Sequence, residues 1–378
     1  MHKTSRSGPL YRIASPEDAP AIARLDRTEL DDAHKTRRPL DPGRLSEEMR
    51  DNRRVWALSQ RGGEILAAVS ITLEAENRLG KIHRMLAAPF QDNRHELLNG
   101  ALALLMQELR RRDSVDVVYC TTRTVTLEQQ ELTLEHGFKV LGVFPSAVSA
   151  DPSKLNGLSV WYAPDVLSRK RYSGFAIHPA VEPFYALARR ACGLGELPKA
   201  SIPRLPDLSM DLPAIERIEA PLFVAEKFRG LRERRKLSVN FYPFQTPNVL
   251  FTSPDQGIEV FAAFFPATRF AAILGEHITV SVNPIALYRA LSDRLHEYGV
   301  AYIEIINDAS DASSIEAILR AGYAPCGYFP CLRSDGETRR DYVVFARSLE
   351  RTGDLHPAGP KPYARYLQEF CAARSSVS

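Results

Sequence analysis

The chain repeats itself, and this limits its possible folds more than any other feature. Shifted by 185 residues, 101–145 meets 286–330 without a gap: Ala101 falls on Ala286, Leu102 on Leu287, Val115 on Val300, Glu131 on Glu316 and Leu134 on Leu319. The match closes on HGFKVLGVFP (136–145) against AGYAPCGYFP (321–330), where Gly137, Gly142, Phe144 and Pro145 find identical partners. Flanking matches keep the same order. PAIARLD (20–26) resembles PAIERIE (213–219), VWALSQRGGEILAAV (55–69) resembles VLFTSPDQGIEVFAAF (249–264), and GLSVWYA (157–163) sits where RDYVVFA (340–346) does. IHPAVEPFYALARRAC (177–192) resembles LHPAGPKPYARYLQEFC (355–371). Two copies of one unit are expected, about 1–200 and 201–378. Two similar surfaces in one chain can pair as a homodimer would, which predicts an internal pseudo-twofold.

Hydrophobic spacing gives each copy a mixed α/β order. In copy one a strand at Leu10–Ala14 leads to Ser15-Pro16-Glu17-Asp18, an N-cap, a proline in the first turn and two acids. Arg54–Gln60 and Glu64–Leu73 read as a hairpin joined by Arg61-Gly62-Gly63, and Gly80–Ala88 as a further strand. Leu97–Arg110 is an amphipathic helix, Val115–Thr121 a strand, and Leu127–Glu135 a helix ended by Gly137. Val140–Phe144 and Leu158–Tyr162 are the last strands. Copy two repeats the order, with strands at Val249–Thr252, Ile258–Phe265, Phe270–Val282, Ala301–Ile306 and Asp341–Ala346, and helices at Ile285–Glu297 and Ser313–Arg320. Between them, eleven of the 26 prolines fall between Pro164 and Pro254, which predicts a short helix at Pro183–Cys192 and otherwise no long regular element.

Several classes are excluded by composition. With 49 basic and 46 acidic side chains, the net charge of +3 gives no reason by itself to expect nucleic acid. No apolar run is long enough to span a bilayer, and the polar opening from Met1 to Pro9 lacks a signal core, so a cytoplasmic protein is expected. Five scattered cysteines argue against a disulfide framework, and no histidine stands near Cys326 and Cys331 at metal-site spacing.

YRIASPEDAPAIARL (11–25) and LTLEHGFKVLGVFP (132–145), set in this element order, resemble the GCN5-related N-acetyltransferase superfamily. The resemblance covers nearly all of copy one and, through the repeat, most of copy two. It implies two tandem domains of that fold, at 1–165 and 205–350, a proline-rich helix and linker at 166–204, and a tail helix at 351–378. It implies transfer of an acyl group from acetyl-CoA or another acyl-CoA to an amine on a small molecule or peptide, without a metal. Either a monomer with an internal pseudo-dimer or a homodimer fits.

In that family the fourth strand parts from the fifth and its backbone holds the pantetheine, while the next turn and helix N-terminus hold the pyrophosphate. Here the strand end supplies Leu86 and Ala88, and the turn supplies Gln91, Asn93, Arg94 and His95. Gln91 matches the family pattern, but Arg94 and Glu96 stand where small residues belong, so Arg94 and His95 are expected to meet the phosphates with side-chain charge. In copy two the turn is nearly deleted before Asn283-Pro284. The family tyrosine four residues before the Gly-Phe is Thr133 here and Ile318 in copy two. His83 on the fourth strand is the candidate base by residue type, Glu74 the second, and Tyr119 a hydrogen-bonding group.

Two features stay outside this scheme. The basic run KFRGLRERRK (227–236) reads as a solvated helix end or an anion site, followed by Phe241-Tyr242-Pro243-Phe244. His178 and His356, in repeated His-Pro-Ala motifs, are expected to fix helix packing rather than bind metal. The alternatives are a degenerate binding or structural protein of the same fold, and an aminoacyl-tRNA-dependent transferase that uses the basic run.

Overall fold

A computed structural model describes residues 8–29, 39–89, 93–121, 127–144, 156–239, 242–350 and 361–377. In chain order its first elements are β1 (Leu10–Ile13), α1 (Ala19–Glu29), α2 (Pro42–Arg50), β2 (Arg54–Arg61), β3 (Glu64–Glu74), β4 (Leu79–Ala87), α3 (Arg94–Arg112), β5 (Val117–Thr121) and α4 (Leu127–Glu135). Next come β6 (Lys139–Phe144), β7 (Asn156–Tyr162), α5 (Glu182–Cys192), β8 (Glu216–Ile218), α6 (Pro221–Glu233), β9 (Ser238–Val239), β10 (Val249–Thr252), β11 (Ile258–Phe265) and β12 (Phe270–Ile278). The chain finishes with α7 (Pro284–Glu297), β13 (Tyr302–Asp308), α8 (Ala312–Arg320), β14 (Ala324–Asp335), β15 (Thr338–Ser348) and α9 (Ala364–Val377). These fall into two compact units, one within 1–139 and 159–164, the other within 140–158 and 165–378. The division does not follow the repeat, because β6, from the end of the first copy, belongs with the second unit from Val140 onward.

In the first unit the strands run in the order β1-β2-β3-β4-β5-β7. The β2–β3 hairpin turns on Gly62 and Gly63, at φ 58° and 85°, the left-handed pair that a tight two-residue hairpin requires. Helix α3 buries Leu98, Leu102, Leu105 and Leu109 against one face, with Val55, Val69 and Met85. The pair α1 and α2 covers the other face through Ile22, Leu25 and Leu45 on Trp56, Ala68 and Leu86. Both faces are covered, which is why β3 reads as a nearly continuous apolar run rather than an alternating one.

In the second unit the order is β6-β14-β15-β13-β12-β11-β10-β8. Strand β6 meets β14 antiparallel at Gly142 and Gly327, residues 185 apart in sequence and equivalent in the repeat. A Cβ on Gly142 would lie 2.8 Å from the Gly327 Cα, so the two backbones touch where neither carries a side chain. On β15, Asp341 is fully buried beside Arg171. Arg171 reaches it through Nε at 2.9 Å and Nη2 at 2.6 Å, the Tyr328 hydroxyl donates at 2.7 Å, and the Cys331 amide donates at 3.0 Å. The repeated motif histidine His178 is also buried, its Nδ1 accepting the Ala180 amide and its Nε2 3.3 Å from Glu316. It fixes the start of α5; His356 lies outside the described residues.

The structure revises three expectations. PAIARLD lies in α1, but PAIERIE contains β8, which pairs with β10 as β1 pairs with β2. Similar local sequence takes different forms because β8 is captured by a sheet edge. The proline-rich stretch contains α6, thirteen residues long, since Pro221 sits in its first turn where a missing N–H costs nothing. Strand β12 stops at Ile278 rather than Val282.

Candidate active site

Strands β4 and β5 run parallel through only three rungs, Leu79–Val117, Gly80–Val118 and Lys81–Tyr119. Beyond Lys81 no further rung joins them among the described residues. On its other edge β4 stays paired with β3, but the register slips between Ser70–Arg84 and Ile71–Ile82. His83 is therefore an extra residue, a one-residue β-bulge where the two strands part. Bulges re-aim side chains and bend the strand away from its neighbour. His83 is half-buried there, on the last stretch of β4 before the helix-bearing turn.

The bulge also decides which backbone groups face the opening. The Ala88 amide donates to the Leu66 carbonyl at 2.8 Å. In an antiparallel ladder this makes Ala68–Leu86 a mutually bonded pair. Leu86 and Ala88 thus spend their backbone polarity on β3, and Leu86 is buried in the α1–α2 core. The groups turned the other way belong to Met85 and Ala87. The sequence expectation names Leu86 and Ala88, whereas the backbone groups on the β5 side of β4 are those of the odd positions, because backbone direction depends on a bulge that has no sequence signature.

Gln129 enters this opening from α4. Buried to 6% exposure, it donates from Nε2 to the Met85 carbonyl at 2.7 Å. Thr133, at the family tyrosine position, turns elsewhere: its hydroxyl bonds Ser159, which also bonds the Cys120 thiol, each at 3.0 Å. Sequence reasoning had no signal for Gln129, whose role appears only once β4 and α4 are packed.

The other predicted residues are spread along the strand. Glu74 pairs with Leu79 at the closed end of the ladder. Its carboxylate accepts the Asn77 amide at 2.8 Å and closes the β3–β4 turn. His83 stands four residues along the strand from Leu79, about 13 Å at ordinary rise. Tyr119 lies on the last rung with the Lys81 ammonium 5.6 Å from its ring centre. Burial, with the Glu74 charge adding, pushes its phenol far above the usual range, so it stays a neutral hydrogen-bonding group.

At the turn, Gln91 lies outside the described residues. Asn93 precedes α3 without accepting a helix amide, and its Nδ2 instead donates to the Glu96 carboxylate at 3.4 Å. Arg94 opens the helix. His95 Nε2 is tied to Glu135 at 3.0 Å, and Asn99 joins Glu135 at 3.1 Å, so His95 is engaged with the end of α4. The residues present therefore fit a pantetheine arm at β4 better than they fit a pyrophosphate at a glycine cradle.

The second unit has the same opening, closed by its own chain. Strands β12 and β13 pair from Phe270–Tyr302 to Ile273–Ile305, and β12 bulges at Leu274 between Ala262–Ile273 and Phe261–Gly275. Strand β9 then takes the place beyond the ladder, Gly275 facing Val239 and Glu276 facing Ser238. Asn283 caps α7, its Oδ1 accepting the Ile285 and Ala286 amides at 3.0 and 3.4 Å. Both the strand opening and the helix N-terminus are already satisfied.

Glu276 beneath β9 is buried, with Oε1 lacking a hydrogen-bond partner. Burial pushes its carboxyl up to about 7, partly offset by a bond from the Tyr288 hydroxyl. A carboxyl raised on folding favours the protonated native state. Its stabilising contribution is complete below the ordinary glutamate range and is lost as pH rises through 7. Denaturant unfolding at pH 5 and 8 should show Glu276→Gln removing a pH-dependent loss of about 3 kcal/mol. Parallel pH profiles for the two proteins would refute this.

Among the described residues no helix is long and apolar enough to cross a membrane, and no group of three metal-ligating side chains converges. All five cysteines are free thiols.

Neither a protein-family model nor a curated protein sequence matches the chain. Among the solved structures with which it aligns are acetyltransferases. The ribosomal-protein-alanine N-acetyltransferase of Brucella melitensis is 17% identical, over 41% of this chain and 99% of that one, with a TM-score of 0.33. An N-acetyltransferase of Staphylococcus aureus Mu50 is 8% identical, over 41% and 98%, at 0.33. The yncA protein of Salmonella typhimurium, described as an acetyltransferase and solved with acetyl-CoA, is 17% identical, over 41% and 94%, at 0.35.

Proposed function

We propose that the chain is an acyl-CoA-dependent N-acyltransferase with one working site, the β4–β5 opening of the first unit, and that it transfers an acetyl group to an amine. The observation that carries this reading is the three-rung ladder ending at a bulge that holds a histidine. A thioester lying there supplies an activated carbonyl and a thiolate leaving group. The Met85 and Ala87 backbone on the open side of β4 is the donor and acceptor set for the pantetheine arm. His83 takes the proton from the attacking amine, which as an ammonium has no electron pair to offer. Tyr119 keeps its proton and stands at the rung where the strands part.

The reading includes a tandem architecture in which a second unit of the same design does not catalyse. Its support is the matched pair of bulges, His83 and Leu274, each just past a parallel ladder, together with β9 and Asn283 filling the second opening. Calorimetric titration of acetyl-CoA into the full chain should give one site per chain, and thiol release should depend on added amine. Binding of two equivalents, or amine-independent release alone, would overturn the reading.

A further inference from the structure

We infer that Gln129 is the residue that sets how tightly the first unit accepts a thioester, by holding the β4 carbonyl that a pantetheine amide would need. This rests on the reading of the β4–β5 opening as the thioester site. A strand edge parted from its neighbour leaves backbone acceptors that must find partners when buried. Here the Met85 carbonyl has found one inside the protein, the Gln129 carboxamide at 2.7 Å. A primary amide is the same chemical donor as the secondary amides along a pantetheine arm, so the two compete for one lone-pair direction. Thr133, one helical turn later, bonds Ser159 instead, so Gln129 and Thr133 take different partners. Gln129 is 6% exposed, so its latch also excludes water from the carbonyl while the site waits.

The competition has a sign. Breaking an intramolecular hydrogen bond before a ligand can use its acceptor weakens apparent affinity. Gln129→Ala should bind CoA about fivefold tighter than the native chain, the factor expected for one net hydrogen bond. Gln129→Met keeps most of the volume and has no N–H to donate to a carbonyl, so it should also release the latch. Both are tested on the full chain by calorimetry with CoA as the probe, alongside amide exchange without ligand. Exchange across 82–88 should quicken in both variants.

Equal or weaker CoA binding by both variants would overturn the latch while leaving the thioester reading in place. Failure of all three proteins to bind CoA would remove the thioester reading and, with it, the competition. Exchange would then report on the internal bond alone, and unchanged exchange would remove that as well.

Discussion

Replacing Asp341 by alanine is expected to lower unfolding stability by about 3–5 kcal/mol, the cost of leaving a buried partner charge uncompensated. The carboxylate receives four bonds, two from Arg171, one from Tyr328 and one from the Cys331 amide. All four partners donate, so an ionised carboxylate is the state that satisfies them. Burial pulls the Arg171 guanidinium down, but the Asp341 charge and hydrogen bonds outweigh it and hold the arginine charged. Without Asp341 that charge stays in place, under the Tyr185 ring 5.5 Å away, with no counterion in the pair. Adding Arg171→Met should recover part of the loss, and only part, since the Tyr328 hydroxyl and Cys331 amide still lack their acceptor. Urea unfolding of the single and double variants checks this. A single-variant loss below about 1 kcal/mol, the scale of an exposed pair, would show that the pair is not desolvated as described.

His83→Gln should reduce kcat for amine acetylation by a hundredfold or more, in the range of losing a general base. The KM for acetyl-CoA should change little, because His83 is assigned to the amine proton and not to the pantetheine. The rising limb of the pH–rate profile should disappear with it. A glutamine keeps the size and polarity of the bulge residue, so folding is spared. Activity within twofold of the native chain, or an unaltered pH profile, would show that the proton leaves by another route.

Much of this fold was legible because it depends on local chemistry. The glycine pair at 62–63, the amphipathic run of α3 and the Gly137 stop after α4 each carry their reason in neighbouring residues. In the second half β10, β11, α7 and α8 fall within one residue of the bounds expected from hydrophobic spacing. The site was legible only by residue type. His83 was identifiable, but the bulge that holds it depends on how β3 and β4 count past each other, which no residue announces. Leu86 and Ala88 were chosen without that count, and their backbone groups face β3. Glu74 was the second candidate base by residue type, and the structure puts its carboxylate in the β3–β4 turn, accepting the Asn77 amide. Gln129, Arg171 and Asp341 depend on packing between distant elements, the last two 170 positions apart.

The glycine contact between β6 and β14 bears on how the molecule can be divided. A cut at the repeat boundary near residue 200 would look natural from the sequence, but it would strip β6 from the second unit. Strand β14 would then face solvent with its backbone donors and acceptors bare at a row containing Tyr328 and Phe329, and with Gly327 offering a flat place for another chain to dock. Unprotected edges of that kind recruit strands from other molecules. A fragment beginning after 200 is therefore a self-associating species, and a soluble second half must carry Val140–Phe144 with it.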